Sequence, residues 1–510
     1  MTVSDLNIMR IPRRLGRERS HSGFFIAVVT SVGVSVGLGG LATSEQFPKI
    51  AEGLLVLAAV ALLVRRFGLG VWLAILVLGS VDALPGPELE TIETPLHLYL
   101  SDVFIVVLIA TLLIDNFRED FQRLADTPER RVLSIWSGVL LLLWVATVAR
   151  SYVWGEITLA HAMDYGRDFV FFALLLPLFA ATLTRSYVRW VMLVTLALGV
   201  VGTDITEIMS IATHRSFAFW VHPGHTVESN GITRLYVNAQ FLEVVAAMLG
   251  FGLLLLARER RLRLAGAVLA PLSIIAVALE LTRAQYIGCS IGLVFALVVW
   301  LGFNRDSAHF GRQHLARLLV ILSVLGAVLV LGPASLIPQT TLSAVESRVS
   351  SVFSTLSSNN ATTSTVAYRK VEASELEQVL GPNWVFGLGF LDPRNHYVAG
   401  IRLGSIRNGD VGVLNAIMTM GIIGAVLIYF PVVFILVGLI WRAMTGAERR
   451  EDSWIVFGIA AWIVSVLTTS VTLVSLFSAP GLCIAAFALG IGTTCLAPRY
   501  PVQHGGAPST

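Results

Sequence analysis

The chain has 510 residues, of which 55% are apolar and only 14% carry a charge. A soluble globular chain has roughly 45–50% apolar and about 25% charged residues, so this composition excludes a soluble enzyme, a disordered tail and a secreted disulfide scaffold. The net charge of +3 is too small to indicate nucleic-acid binding. The composition instead predicts an all-α, polytopic membrane protein.

Apolar runs bounded by charges, prolines or glycines predict about fourteen transmembrane helices. This is also the number that about 280 apolar residues fill at about 20 residues per helix. The first run follows a basic tail, as in a signal peptide, but thirteen more runs follow it, so we interpret it as a retained helix. The predicted spans are 23–41, 50–64, 68–81, 96–114, 132–148, 166–182, 190–206, 237–256, 264–281, 285–301, 318–334, 411–440, 454–473 and 479–496.

The basic residues test this topology, because short cytoplasmic segments carry an excess of lysine and arginine. With a cytoplasmic N-terminus, 24 of the 36 basic residues fall on inside segments, and the short outer turns are nearly free of them. The pattern predicts an even number of spans with both termini in the cytoplasm. The predicted divisions are a membrane domain over 1–334, an outer loop over 335–409, a second membrane part over 410–496 and a cytoplasmic tail over 497–510.

Two of the predicted outer segments are long, Glu207–Tyr236 and Gly332–Gly409. Long loops in an otherwise compact chain tend to be functional. In the second segment, apolar residues at helical spacing predict an amphipathic helix over 366–380, which Gly381 and Pro382 end. We expect the apolar face of this helix to lie on the membrane domain.

Twelve basic residues fall on the predicted outer side, where the positive-inside bias disfavours them. A single such arginine is explained by snorkelling or by a local ion pair, such as Glu280 with Arg283. A set of arginines on one side fits a shared anionic ligand better, because guanidinium groups bind phosphate in a bidentate manner. The expected ligand is a lipid-linked phosphate or pyrophosphate at the outer surface. The chain has no Asp-x-Asp pair, P-loop or HExxH motif, so no metal site is predicted.

Four segments follow one another in the second half of the chain. They are Arg234-Leu-Tyr-Val-Asn238; Leu281-Thr-Arg283-Ala-Gln-Tyr-Ile-Gly288; a run from Ser347-Arg348 through Tyr368-Arg369 to Gly387-Leu-Gly389; and Asp410-Val-Gly412 with Met420-Gly-Ile-Ile-Gly424. In this order and spacing, over roughly residues 234–496, the chain resembles the superfamily of O-antigen ligases and Wzy-type polysaccharide polymerases.

The resemblance implies a glycosyltransferase C fold in a bacterial inner membrane, with the active site on the periplasmic side. It implies metal-independent, inverting transfer of a glycan from polyprenyl pyrophosphate, without a cofactor. The implied partners are the polyprenyl-pyrophosphate-linked glycan, membrane lipid and, as a further candidate, a chain-length regulator. Nucleic acid is not among them.

The residues expected to act in this chemistry lie on the predicted outer side. Pyrophosphate ligands are expected to be Arg283 and Arg369, helped by Arg234 and Arg167, while glycan or phosphate is expected to contact Arg402 and Arg407. Asp410 is the candidate base, with Glu280 and His396 as alternatives, and the competing interpretation of Asp410 is a cap of the following helix. Many O-antigen ligases have histidine near the place of Asp410, so this chain favours a polymerase.

Two other functions remain open. A ligase that moves the glycan to lipid A core or protein would use the same arginines. A transporter or flippase of lipid-linked sugars predicts acidic and basic residues at mid-membrane on several helices. Asp204 and Glu243 lie inside predicted spans, and one of them is interpreted as a packed hydrogen-bonding residue.

Overall fold

The computed structural model describes ten α-helices with both ends defined, a helical segment at residues 374–380 and two short hairpins. The described residues are 68–81, 126–153, 158–213, 225–229, 232–236, 240–280, 282–303, 343, 374–390, 397–398, 401–402, 412–445, 452–470, 476 and 479–496. The helices are α1 Leu69–Gly79, α2 Pro128–Val153, α3 Leu159–Thr182, α4 Ser186–Thr213, α5 Gln240–Leu256, α6 Arg260–Leu279, α7 Arg283–Phe303, α8 Gly412–Thr445, α9 Ser453–Ser470 and α10 Ala479–Leu496.

Each of the ten helices coincides with one of the predicted apolar runs. Five of the described helices, α2, α4, α6, α8 and α9, are long and apolar enough to cross a membrane. The chain therefore has the make-up of a helical membrane protein, while the number of fourteen spans stays a prediction. The predicted spans 23–41, 50–64, 96–114 and 318–334 lie outside the described residues.

Two antiparallel hairpins accompany the helices. In the first, β1 (His225–Ser229) pairs with β2 (Ile232–Tyr236), and in the second, β3 (Tyr397–Val398) pairs with β4 (Ile401–Arg402). Both hairpins fall in the segments predicted as long outer loops. Apart from these two hairpins, the regular secondary structure of the described residues is helical.

Short connections make successive helices antiparallel, so the bundle has two ends. At one end, which we name the Arg189 end, the Arg189 guanidinium lies 3.6 Å from the Asp452 carboxylate and donates a 3.1 Å hydrogen bond to the Thr494 hydroxyl. These contacts join the start of α4, the start of α9 and the end of α10. At the other end, α2 finishes and α8 starts. We name it the loop end, because it carries residues 374–390 of the predicted outer loop.

The predicted amphipathic helix is helical over its described residues, 374–380, and a 3₁₀ turn, Gly381–Trp384, follows it. Its apolar residues Leu376, Val379 and Leu380 are buried and pack with residues from the first turns of α8. The helix therefore lies against the membrane-spanning bundle through its apolar face.

Burial separates interior helices from helices at the surface of the bundle. α9 packs against α5, α7, α8 and α10 and is buried along most of its length, as expected for a helix that is apolar all round. α2 instead presents Ile135, Leu142 and Val145, which are 62%, 72% and 54% exposed. Exposed aliphatic side chains on a helix of this length are typical of a surface in contact with lipid.

Glycines allow close contact between the interior helices. A methyl group at Gly292 of α7 would lie 2.2 Å from the carbonyl oxygen of Ala461 in α9. A methyl group at Gly252 of α5 would lie equally close, at 2.2 Å, to the carbonyl oxygen of Trp454. Because the obstructing atoms belong to the backbone, a larger residue would force the helices apart.

We therefore expect Gly292→Leu to destabilise the protein. Overpacking of a close helix contact typically costs about 1–3 kcal/mol, and the thermal unfolding temperature in detergent should fall by several degrees. The matched control is Gly138→Leu on the exposed face of α2, where an added side chain meets nothing within 4 Å. Equal unfolding temperatures for the two variants would contradict the proposed packing.

Candidate functional site

The structure describes some of the predicted site residues completely, some by their backbone alone and some not at all. Three lie outside the described residues: Arg369, Arg407 and Asp410. Three are described by their backbone alone: Arg234 in β2, Arg283 as the first residue of α7, and Arg402 in β4. Two are described with their side chains: Arg167 and Glu280.

A break in α8 is the first feature of the loop end. At Gly421 the backbone leaves the helical conformation, with φ 70° and ψ −171°. A break frees backbone groups that an intact helix would pair, and such groups need partners in a membrane protein. The partners come from residues 385–390, which we name the loop segment.

The loop segment supplies hydrogen bonds to both sides of the break. The N–H of Leu388 donates to the carbonyl of Met418 at 2.6 Å, and the N–H of Gly389 donates to that of Thr419 at 2.9 Å. Beyond the break, the N–H of Ile423 donates to the loop segment in turn, at 3.4 Å. The loop segment thus replaces part of the missing helical hydrogen bonding.

Three glycines make this contact possible. Gly387, Gly389 and Gly421 have φ values of 69°, 96° and 70°, which residues with a side chain rarely adopt. A methyl group at Gly421 would lie 2.2 Å from the carbonyl oxygen of Val385, and one at Gly387 would lie 2.5 Å from the amide nitrogen of Gly421. Two of the four segments that carry the sequence resemblance therefore contact each other through their glycines.

The end of α2 also holds the loop segment. The Arg150 guanidinium donates to the carbonyl of Phe386 at 2.9 Å and to the carbonyl of Gly387. The hydroxyl of Ser151 accepts the N–H of Phe390 at 2.7 Å. Arg150 is one of the twelve basic residues on the predicted outer side, and in the structure it binds the backbone of the loop segment.

Arg167 lies beside the same contact. Its guanidinium is 3.7 Å from the carboxylate of Asp168, and both side chains are about one-fifth exposed. The neighbouring Gly166 is in close contact with Phe390, since an added methyl group would lie 2.9 Å from its ring. Arg167 therefore lies at the loop end, with an acidic neighbour.

Glu280 belongs to a buried group of three carboxyls, which we name the carboxyl cluster. It comprises Glu207 of α4, Glu243 of α5 and Glu280 at the end of α6, and one oxygen from each lies within 4.8 Å of the others. These residues are 1%, 0% and 3% exposed. Helices α4, α5 and α6 thus bring three acidic side chains together near the loop end.

Further polar side chains surround the carboxyl cluster. Asp204 lies one turn before Glu207 on α4 and accepts a 2.9 Å hydrogen bond from the hydroxyl of Ser273. The side-chain amide of Gln285 donates at 2.7 Å to that of Gln240, which is one turn before Glu243 on α5. The interpretation of Asp204 as a packed hydrogen-bonding residue agrees with its contact to Ser273.

Burial argues against Glu280 as the catalytic base. A base must come within hydrogen-bonding reach of the acceptor hydroxyl, and a side chain that is 3% exposed inside a helix bundle does not meet a sugar there. Asp410 and His396, which both lie outside the described residues, stay as the candidates.

The sequence predicts an outer segment that starts at Glu207, whereas α4 continues to Thr213. The spacing of Asp204 and Glu207, one helical turn apart, is the signal that places both on one helix face. The pairing of that face with Glu243 and Glu280 depends on how the three successive helices α4, α5 and α6 pack together, which the sequence pattern does not show.

No protein-family model and no curated protein sequence matches the chain.

Proposed function

We propose that the protein is a polysaccharide polymerase of a bacterial inner membrane. In this reaction a growing glycan moves from polyprenyl pyrophosphate to a hydroxyl of a second lipid-linked repeat. The observation that supports the proposal most is the contact between the loop segment and Gly421. These two parts are separate elements of the resemblance to O-antigen ligases and Wzy-type polymerases, and they are fitted to each other at the loop end.

In the proposed chemistry, arginines stabilise the negative charge of the leaving group. The acceptor oxygen attacks the anomeric carbon of the donor, and the bond from that carbon to the pyrophosphate oxygen breaks with inversion. Asp410 accepts the proton of the attacking hydroxyl. Arg283 and Arg369, with Arg234 and Arg167, stabilise the charge that develops on the departing polyprenyl pyrophosphate.

The backbone positions of three of these arginines support their common role. Arg283 starts α7 just after the carboxyl cluster, and Arg234 lies in the hairpin that precedes α5. Arg167 lies near the start of α3, close to the loop segment. Since α3, α5 and α7 all start at the loop end, the three arginines belong to one end of the bundle.

Basic residues at the other end follow a different pattern. Arg185, Arg258, Arg260 and Arg261 lie at the starts of α4 and α6, at the Arg189 end. Their concentration there is what the positive-inside bias expects of a cytoplasmic surface. This distribution supports the proposed orientation, in which the loop end and its arginines face the periplasm.

Product analysis separates a polymerase from a ligase. Purified protein in lipid vesicles receives lipid-linked repeats as the only substrate, and the products are resolved by length. We expect a ladder of glycans that differ by one repeat. No ladder with repeats alone, together with transfer when lipid A core or an acceptor protein is added, would make the protein a ligase.

One observation favours a second candidate, a transporter of lipid-linked sugars. The carboxyl cluster is buried between three helices, and ionisable groups within a membrane-spanning bundle often belong to an ion or proton pathway. This candidate predicts that the purified protein moves an intact lipid-linked repeat across the bilayer, without forming a glycosidic bond.

A further inference from the structure

The carboxyl cluster contains side chains whose hydrogen-bonding capacity is not used. Both carboxylate oxygens of Glu243 and the Oε1 atom of Glu207 are buried and accept no hydrogen bond from a donor group in the described part of the chain, while the two carboxyls lie within hydrogen-bonding reach of each other. The Oδ1 atom of Asp204, one turn before Glu207, is likewise buried and accepts no hydrogen bond there. Buried polar atoms in proteins nearly always have partners, so these oxygens point to a ligand.

The spacing of the oxygens suits a cation. Calcium binds oxygen ligands at about 2.3–2.6 Å, so two ligands on opposite sides of the ion are about 4.6–5.2 Å apart. The three carboxyls of the cluster offer oxygens within 4.8 Å of one another. One ion between them would therefore contact all three with little rearrangement.

The types of ligand atom indicate which cation the cluster would bind. The cluster contains only carboxylates. The side chain of Gln285, which contacts Gln240 one turn before Glu243, has an amide oxygen, Oε1, without a hydrogen-bond partner among the described residues. Histidine and cysteine, which zinc and copper prefer, are not part of the group. Oxygen ligands with negative charge favour hard divalent cations such as Ca²⁺, Mn²⁺ or Mg²⁺.

We propose that Glu207, Glu243 and Glu280 form a buried binding site for one hard divalent cation, with Ca²⁺ the best match in size. The ion links α4, α5 and α6 at the loop end and neutralises acidic side chains that would otherwise repel one another. It also fixes the end of α6, and so the position of Arg283 three residues after Glu280. This site is separate from the proposed transfer chemistry and does not depend on it.

Cation binding is measured on the full-length protein in detergent after treatment with a chelator. We expect radioactive Ca²⁺ to bind saturably at about one ion per chain, and saturating Ca²⁺ to raise the unfolding temperature by about 5 °C. Glu243→Gln should weaken Ca²⁺ binding at least tenfold. Glu207→Gln should do the same and serves as the second variant if Glu243→Gln does not fold.

The control variant is Glu377→Gln, which removes an exposed carboxylate at the loop end and should bind Ca²⁺ like the wild type. The proposal is wrong if wild-type protein binds neither Ca²⁺, Mn²⁺ nor Mg²⁺ saturably, and also if stability responds to pH but not to these cations. Loss of binding in Glu377→Gln equal to that in Glu243→Gln would also overturn it. Because no lipid-linked substrate is present, these results are independent of the polymerase proposal.

Discussion

Replacing Gly421 by alanine is expected to destabilise the protein and to abolish glycan polymerisation. The alanine would have to adopt a φ of 70°, which costs about 1–3 kcal/mol for a residue other than glycine. Its methyl group would also lie 2.2 Å from the carbonyl oxygen of Val385, so the loop segment would have to leave the break in α8. Thermal unfolding and product length, measured on the same purified sample, check both effects.

Gly381→Ala separates backbone strain from this contact. Gly381 also has a positive φ, 44°, but an added methyl group would meet nothing within 4 Å. We expect a small loss of stability and normal polymerisation for this variant. If Gly421→Ala is no more damaging than Gly381→Ala, the contact between the loop segment and α8 is not important for the site.

Arg369→Lys is expected to reduce polymerisation strongly while the protein folds and inserts normally. Lysine keeps the positive charge but loses the planar fork that binds two phosphate oxygens at once. A charge-assisted hydrogen bond is worth about 1.5–3 kcal/mol, so the rate should fall roughly 10-fold to 100-fold. The rate of ladder formation, measured at equal amounts of folded protein, checks this prediction.

The matched control is Arg261→Lys, which makes the same change at an exposed arginine of the Arg189 end. It should polymerise like the wild type. Activity of Arg369→Lys close to that of Arg261→Lys would remove Arg369 from the pyrophosphate site.

The sequence predicts the positions of the helices well, because a helix in a membrane must be apolar over most of its length. The run predicted at 479–496 and α10 have the same bounds, and all of the run predicted at 411–440 except its first residue lies in α8. The predicted span 190–206 ends before the helix does. Its end is set at the acidic Glu207, because acidic side chains normally mark the end of a span. In the structure α4 continues through Glu207, because its carboxyl is enclosed by α5 and α6.

The candidate site could be predicted only in part. The order of the Gly-x-Gly run and the segment around Gly421 is visible in the sequence, but their contact depends on how the outer loop returns to α8. Arg150 illustrates the same limit. Its charge and its predicted side of the membrane suggest an anionic ligand, but the sequence does not predict its hydrogen bonds to the backbone carbonyls of Phe386 and Gly387.

The carboxyl cluster changes what the buried charges mean. From the sequence, Asp204 and Glu243 were isolated acidic residues in two spans, and Glu280 was a candidate base. Their convergence with Glu207 places four acidic side chains in one buried region of the bundle. Such a region fits a cation site or an ion pathway better than a base that must meet a sugar hydroxyl.

Transfer of glycan from polyprenyl pyrophosphate is the central claim, and the fate of the lipid tests it most directly. Lipid-linked repeats labelled in both the sugar and the lipid are incubated with the wild-type protein in sealed vesicles. We predict release of one polyprenyl pyrophosphate for each glycosidic bond formed. Movement of the intact lipid-linked repeat across the bilayer, without release of polyprenyl pyrophosphate, would contradict the polymerase and support the transporter.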